Sequence, residues 1–464
     1  NTISWASTGA ESYNIYFKTS SGVTGSDTKI TNITPPYLHS ELSSNSTYHY
    51  VVTAVSGGEE SALSQEVSST PYGFWTHEAY LKASNTTSGD FFGGQVSIDG
   101  DTLAVAATNE DSTTTTIIHG SDLSATNDAG TSNGAIYVFK RTDSTWVHEA
   151  YLKAPNTSDS DNFGYSIDLD NDTIVVGATL EDSNTTSIIN GSDLSATNNA
   201  GSANGAAYVF KRTGSTWAHE AYLKAPNTTN TDSFGISVAI DDDTIAVGAA
   251  GEDSTTTSII HGSDLSATNN AGSENGAVYV FKRTGSTWAQ EAYLKSPNNS
   301  DGDTFSAVSI HGDTLVVGAQ NEDSTTTDII HGSDLSATNN AGSNNGAVYV
   351  FTRTGTTWEL EAYLKAPNSS NSDAFGGDVA IHSDTIAVRS TSEDSDTTSI
   401  IHGSDLSATN NSSADNGAVY VFKRTGSTWV HEAYLKAPNA SSGDFFGWGI
   451  AIYNDTIVVG AISE

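Results

Sequence analysis

Apolar residues recur along most of this chain in short alternating runs, and no segment of useful length carries a helical period. Phe234-Gly-Ile-Ser-Val-Ala-Ile240 alternates large and small residues, the pattern of a half-buried strand. Asp241-Asp-Asp243 then supplies a tight turn, and Thr244-Ile-Ala-Val-Gly-Ala249 predicts a second strand. A long polar loop runs from Glu252 to about Glu274. After it, Ala277-Val-Tyr-Val-Phe-Lys282 predicts a third strand, and Thr284-Gly-Ser286 turns that strand into a fourth, Trp288-Ala-Gln-Glu-Ala-Tyr-Leu294.

The same order of strands returns along the chain. The segment Trp-x-x-Glu-Ala-Tyr-Leu-Lys has its Trp at 75, 146, 217, 288, 358 and 429, steps of 71, 71, 71, 70 and 71 residues. Phe-Gly recurs at Phe92, Phe163, Phe234, Phe375 and Phe446, with Phe305-Ser306 in the fourth copy. Gly-Ala-x-Tyr-Val-Phe places Tyr at 137, 208, 279, 349 and 420. Five full repeats and part of a sixth are present. Four antiparallel strands per repeat, many times over, predict an all-β propeller of four-stranded blades. A solenoid coil would be shorter, and separate sandwich domains would need more strands each. Apolar residues on both parities fit blades that bury both faces, and Gly248-Ala249 suits crowding near a central channel.

The recurring motifs resemble the FG-GAP repeat of integrin α-chain propellers and their microbial relatives. The microbial subtype is closer, sharing Glu-Asp-Ser after the second strand, the long polar loop and the Ala-Tyr-Leu-Lys strand. The resemblance covers about residues 73–464 and implies a seven-bladed extracellular propeller with loops available for ligands. Residues 1–70 read differently. Ile3-Ser-Trp5, Tyr13-Asn-Ile-Tyr16 and Tyr48-x-Tyr50-x-Val52 resemble a fibronectin type III domain, an immunoglobulin-like β-sandwich, with Trp5 as core Trp, Tyr48 as corner Tyr and the first strand missing. The expected organisation is therefore a partial sandwich over 1–70 and a propeller over 71–464.

The formal charge of −37, from 18 Lys+Arg and 55 Asp+Glu, argues against nucleic acid and anionic lipid as partners. No apolar run reaches the length of a membrane span. Zero Cys excludes disulfides, thiolate metal sites and Cys nucleophiles. Zero Met indicates that residue 1 is not a translation start. The Ser/Thr/Asn-rich composition points to an extracellular or cell-surface location.

Candidate chemistry lies in the loops. The turns Asp99-Gly-Asp101, Asp170-Asn-Asp172, Asp241-Asp-Asp243, His311-Gly-Asp313, His382-Ser-Asp384 and Tyr453-Asn-Asp455 lack the integrin-type Asp-x-Asp-x-Asp-Gly pattern, and are too short to wrap Ca2+. The long loop offers hard oxygens from both its ends. The candidate Ca2+ ligands are Asp111 with Asp122, Asp182 with Asp193, Asp253 with Asp264, Asp323 with Asp334, and Asp394 with Asp405; the competing reading is turn chemistry. A further acid precedes each Phe-Gly (Asp90, Asp161, Asp232, Asp303, Asp373, Asp444) and reads as a turn cap. Asn-x-Ser/Thr sequons at Asn85, Asn156, Asn227, Asn298, Asn368 and Asn439 are glycosylation candidates, again against turn chemistry. His119, His261, His331 and His402 exchange with Asn190 in the second copy, which suits a hydrogen bond better than a catalytic base. Arg389-Ser390 breaks the repeat where other copies have Gly-Ala or Ala-Ala, a candidate contact or internal ion pair.

No catalytic constellation emerges. The leading expectation is a surface or matrix binding protein, adhesion-like, whose partners are extracellular proteins, glycans or copies of itself. A structural subunit of a filament or coat is the alternative, and a secreted hydrolase ranks third. Closure adds a geometric expectation: the Trp75–Leu81 segment should pair as an outer strand of the closing blade, with six blades or, after a further repeat, seven.

Overall fold

The computed structural model describes residues 2–6, 8–39, 42–43, 46–70 and 77–464. It divides into two units, Asn1–Tyr80 and Leu81–Glu464, a later boundary than the expected one at 70/71.

In the first unit, Ser12–Lys18 pairs with Thr28–Ile33 on one side and Tyr48–Ser56 on the other. Glu59–Glu60 and Val67–Ser69 also pair with Tyr48–Ser56. Thr2–Ile3 and Tyr37–Leu38 form a separate small pair. Alternation sends Tyr13 and Ile15 inward with Ile3, Ile33 and Tyr50, and Trp5 packs edge-on to Tyr13 at 5.3 Å. The Ser43 N–H donates to the Tyr48 hydroxyl, 3.1 Å away.

The second unit is built from repeated sheets. In the third repeat the order is Phe234–Asp241, Thr244–Ala249, Ala277–Thr284, Thr287–Leu294, then Ile260–His261. The first four strands match the sequence expectation almost to the residue. The expected four-stranded blade needs correction, because each complete repeat carries a fifth strand. Two residues inside the long loop, Ile260–His261, pair with Tyr293 and Ala292 at the sheet's outer edge. Such a strand has no periodicity to betray it.

The core lies between sheets. One cluster joins Val209 and Leu223 of the second repeat to Phe234, Val247, Tyr279 and Trp288 of the third. Every residue of Thr244–Ala249 is buried, as expected for a strand covered on both faces. Phe234 is fully buried and meets Tyr279 edge-to-face at 5.3 Å; burial of such a side chain contributes about 1.5–3 kcal/mol. Gly248 is required by crowding: a Cβ there would fall 2.0 Å from the Ser306 carbonyl oxygen of the next repeat.

The closure expectation falls on the segment from Trp75 to Leu81. Trp75 lies outside the described residues, and residues 77–81 form no strand. The sixth repeat contributes one hairpin, Ile450–Tyr453 with Thr456–Val459. Val96 and Ile98, on the inner strand of the first repeat, are 61% and 60% exposed, against 7% and 5% for their equivalents Val238 and Ile240. That face of the first blade has no covering sheet among the described residues.

Candidate functional site

Two places on the repeat unit could meet a ligand: the long loops, and the channel where inner strands converge. The loop of the third repeat shows how the first is held. Glu252 sits just after the second strand and is buried; its Oε2 accepts from Lys295 Nζ at 2.7 Å and from the Ser254 N–H at 3.1 Å. Asn227 Nδ2 donates to Glu252 Oε1 at 3.0 Å, while Asn227 Oδ1 accepts from the Tyr279 hydroxyl at 2.7 Å. Asn269 Oδ1 accepts from Thr255 N–H and Ala271 N–H, and Ser254 Oγ accepts from the Asn269 N–H, so the two halves of the loop are laced together. Leu265 plugs the loop into the core. Burial lowers the Lys295 pKa, and the Glu252 carboxylate opposes that shift. A buried charge is tolerable here because its partner and its hydrogen bonds are supplied together.

The candidate Ca2+ ligands each take part in the loop's hydrogen bonding through one carboxylate oxygen. Asp111, Asp182, Asp253, Asp323 and Asp394 each accept a backbone N–H across the loop, from Ser132, Ala203, Glu274, Asn344 and Asp415. Asp122, Asp193, Asp264, Asp334 and Asp405 instead cap an exposed turn, accepting from the N–H two residues on. Among the described residues no group of three or more His, Asp or Glu side chains is arranged to hold a metal. Ca2+ takes six to eight oxygens, and in this structure the two series make hydrogen-bonded turns through one oxygen each.

The sequon asparagines share one role. Asn85, Asn156, Asn298 and Asn368 donate through Nδ2 to Glu110, Glu181, Glu322 and Glu393, as Asn227 does to Glu252. Asn439 donates to Glu464. The nitrogen a glycan would take is thus engaged within the fold. The acids before Phe-Gly are turn caps, as expected: Asp232 Oδ2 accepts from the Thr229 N–H at 2.7 Å, and Asp161 from Ser158 at the same distance. The short-turn acids are tied to Arg on the third strand, as Asp243 is to Arg283 at 2.7 Å.

Contacts between repeats explain the other motifs. The Trp217 N–H donates to His119 Nε2 at 2.9 Å, and the Trp288 N–H donates to Asn190 Oδ1 at 2.8 Å. His and Asn exchange because both present an acceptor at one place. The Glu of Trp-x-x-Glu reaches the next repeat too: Glu220 Oε2 accepts from Trp288 Nε1 at 3.0 Å and from Arg283 at 3.2 Å, while Arg283 lies over the Trp288 ring. Sequence reasoning saw these positions recur and missed the partner, which is 68 residues away.

The channel is a cavity of about 810 Å³ lined by inner strands of all six repeats. Only two of its lining residues are charged, Asp378 and Arg389.

These features define a propeller-like all-β repeat protein whose repeats are joined by a fixed set of polar clasps. The FG-GAP repeat family profile matches residues 75–139, 146–210, 217–281, 288–351 and 429–464, and the chain belongs to that family. No curated protein matches the chain.

Proposed function

We propose that this chain is an extracellular binding protein of adhesion type, presenting its long loops to a protein or glycan partner. The observation that carries this reading is the state of the loops. They are fixed from within by hydrogen bonds and a buried Leu, yet keep exposed hydroxyls and amides such as Thr257, Ser263 and Asn270 in repeated copies. Preordered polar loops bind without a large ordering cost. Ca2+ stabilisation of the loops belongs to this reading through the second carboxylate oxygens of Asp253, Asp264 and their equivalents, and superimposable melting curves in EDTA and in millimolar Ca2+ would remove it. We read the first unit as fibronectin type III-like, supported by the Trp5–Tyr13 contact and the Ser43-to-Tyr48 bond. We further read the repeats as the microbial subtype, from the motifs they share with it, and as a ring of six or seven blades, supported by the uncovered face of the first blade. Among the described residues no helix is long and apolar enough to cross a membrane.

The test is binding of the whole chain to immobilised matrix proteins and cell-surface polysaccharides. Saturable binding is expected, lost when Thr257, Ser263, Asn270 and their equivalents become Ala while the melting temperature holds. Absence of binding across the panel sinks the proposal. The uncovered faces favour a second reading, a filament or coat subunit; ordered polymers in electron micrographs of the purified chain would select it.

A further inference from the structure

Asn-x-Ser/Thr occurs in this chain beyond the copies that follow Ala-Tyr-Leu-Lys. Asn45 begins one such sequon and lies outside the described residues. An N-linked glycan is carried on the side-chain nitrogen, Nδ2, and is a bulky polar group that must stand in water. A fold accommodates it where that nitrogen is exposed and has no hydrogen bond to lose.

Most of the sequon amides fail this condition. The asparagines after Ala-Tyr-Leu-Lys are bound to Glu. Asn171 Nδ2 donates to Asp170 at 3.0 Å, and Asn190 Nδ2 to the Trp288 carbonyl oxygen at 3.2 Å. Asn410 donates to Asp396 and Asn411 to Ser370 Oγ, both at 2.7 Å. Asn32, Asn184 and Asn454 donate no such bond among the described residues, and all three are exposed. Two of them are fixed in paired backbone. Asn32 lies in the strand Thr28–Ile33, where its Oδ1 accepts from the Ser12 hydroxyl at 3.3 Å. Asn454 sits in a hairpin turn at φ 51°, and the Thr456 of its sequon is paired with Tyr453.

Asn184 differs from both. It lies in the long loop of the second repeat and belongs to no strand. Its backbone N–H donates to Asn198 Oδ1 at 3.4 Å, which holds the main chain and leaves the side chain in water. Thr186, which completes the sequon, is exposed too. The equivalents of Asn184 are Thr113, Thr255, Thr325 and Asp396. The three threonines each donate a hydroxyl across the loop, as Thr255 Oγ1 does to Asn269 Oδ1 at 3.2 Å. Asn184 makes no side-chain bond of that kind, so this one repeat has exchanged a loop bond for a free amide.

We infer that Asn184 is an N-glycan acceptor, the sequon whose modification this fold accommodates. Asn184 Nδ2 displaces lipid pyrophosphate from C1 of the first sugar of a lipid-linked oligosaccharide: the C1–O bond breaks, the C1–N bond forms, and one amide proton is released. The glycan then projects from the loop into solvent. At Asn227 the same change would place a sugar against Glu252, the carboxylate that holds buried Lys295, and would disturb a charge pair that has no water to replace its donors. The inference rests on the extracellular reading, since the sugar donor is met on the secretory route. Its test does not use partner binding, so the two can fail separately.

The whole chain is expressed behind a secretion signal in yeast, and the folded, secreted protein is mapped by peptide mass spectrometry before and after peptide N-glycosidase. Glycan is expected on the peptide that carries Asn184. Asn184→Gln should abolish it, and so should Thr186→Ala, which keeps the asparagine; both variants should melt close to the enzymatically deglycosylated parent. Should the chain not be secreted, a purified oligosaccharyltransferase with its lipid-linked donor is offered the folded chain, and transfer to Asn184 is expected there. A folded chain without glycan at Asn184 in the assay used, or one occupied equally at Asn156 or Asn227, overturns the inference.

Discussion

The Lys of Ala-Tyr-Leu-Lys is fully buried in Lys153, Lys224, Lys295 and Lys365, and each meets the Glu of Glu-Asp-Ser within its own repeat. Both motifs are plain in the sequence, yet their pairing is not, since the partners lie 43 residues apart. The buried carboxyls before Phe-Gly carry a consequence for pH. Burial pushes Asp161 and Asp373 up to about 8, and Asp232 and Asp303 up to about 7. The unfolded chain releases these protons near the ordinary aspartate value of 3.8 while the folded chain retains them. Their contribution to stability is therefore present at low pH and is lost as pH rises toward 7–8. Burial lowers His148, His219 and His431, with His219 near 4, and these act in the opposite sense only below their ordinary 6.5. The buried lysines, lowered by desolvation, oppose the carboxyls toward the alkaline end. Stability measured by denaturant at pH 6.5 and 8 should fall by on the order of 1 kcal/mol per carboxyl. Asp232→Asn should show a smaller fall than the parent over the same interval; equal falls would mean that Asp232 ionises normally.

Strands follow from alternation, and so the four long strands of each repeat are legible without coordinates. Phe234–Ile240 was expected and Phe234–Asp241 is observed. What alternation cannot reveal is where one sheet meets the next. The two-residue strands at Ile118–His119, Ile189–Asn190 and Ile260–His261 exist because the outer strand has a free edge and the loop folds back upon it. Those same two residues carry the clasp to the following repeat. His119 accepts the Trp217 N–H 98 residues later, and Asn190 does the same for Trp288. A clasp that works with either residue predicts its own tolerance. His119→Asn should leave the melting temperature near that of the parent. His119→Ala leaves the Trp217 amide without its acceptor and should cost about 1–2 kcal/mol. If Asn and Ala were equally harmful, the imidazole would have a role that hydrogen bonding does not explain.

At the scale of the whole molecule, the recurrent features were readable because five copies repeat them, and the exceptions were readable only as exceptions. Arg389 was visible as a break in pattern, whereas its unmet Nε and the glycine beside it depend on how neighbouring inner strands converge. The uncovered face of the first blade is likewise a property of assembly. Val96 and Ile98 have the same sequence character as Val238 and Ile240, so alternation predicts burial for all four, yet the first pair lies in the open. Tyr453 and Val458 on the last hairpin are 71% and 65% exposed. Interior repeats bury the equivalents of Val96, Ile98 and Val458 against a neighbour, as Val238, Ile240 and Ala246 show, so each exposed face has the chemistry of half an interface. An apolar sheet face of this kind promotes association. Substituting both Val96 and Ile98 by Lys should lower concentration-dependent light scattering and leave the melting temperature close to the parent's, since neither side chain contributes to a packed core. The matched double substitution Val238→Lys and Ile240→Lys should abolish cooperative unfolding, because it places two unpaired charges between packed sheets. Loss of stability in the first variant as large as in the second would show that the face is covered in solution by part of the same molecule.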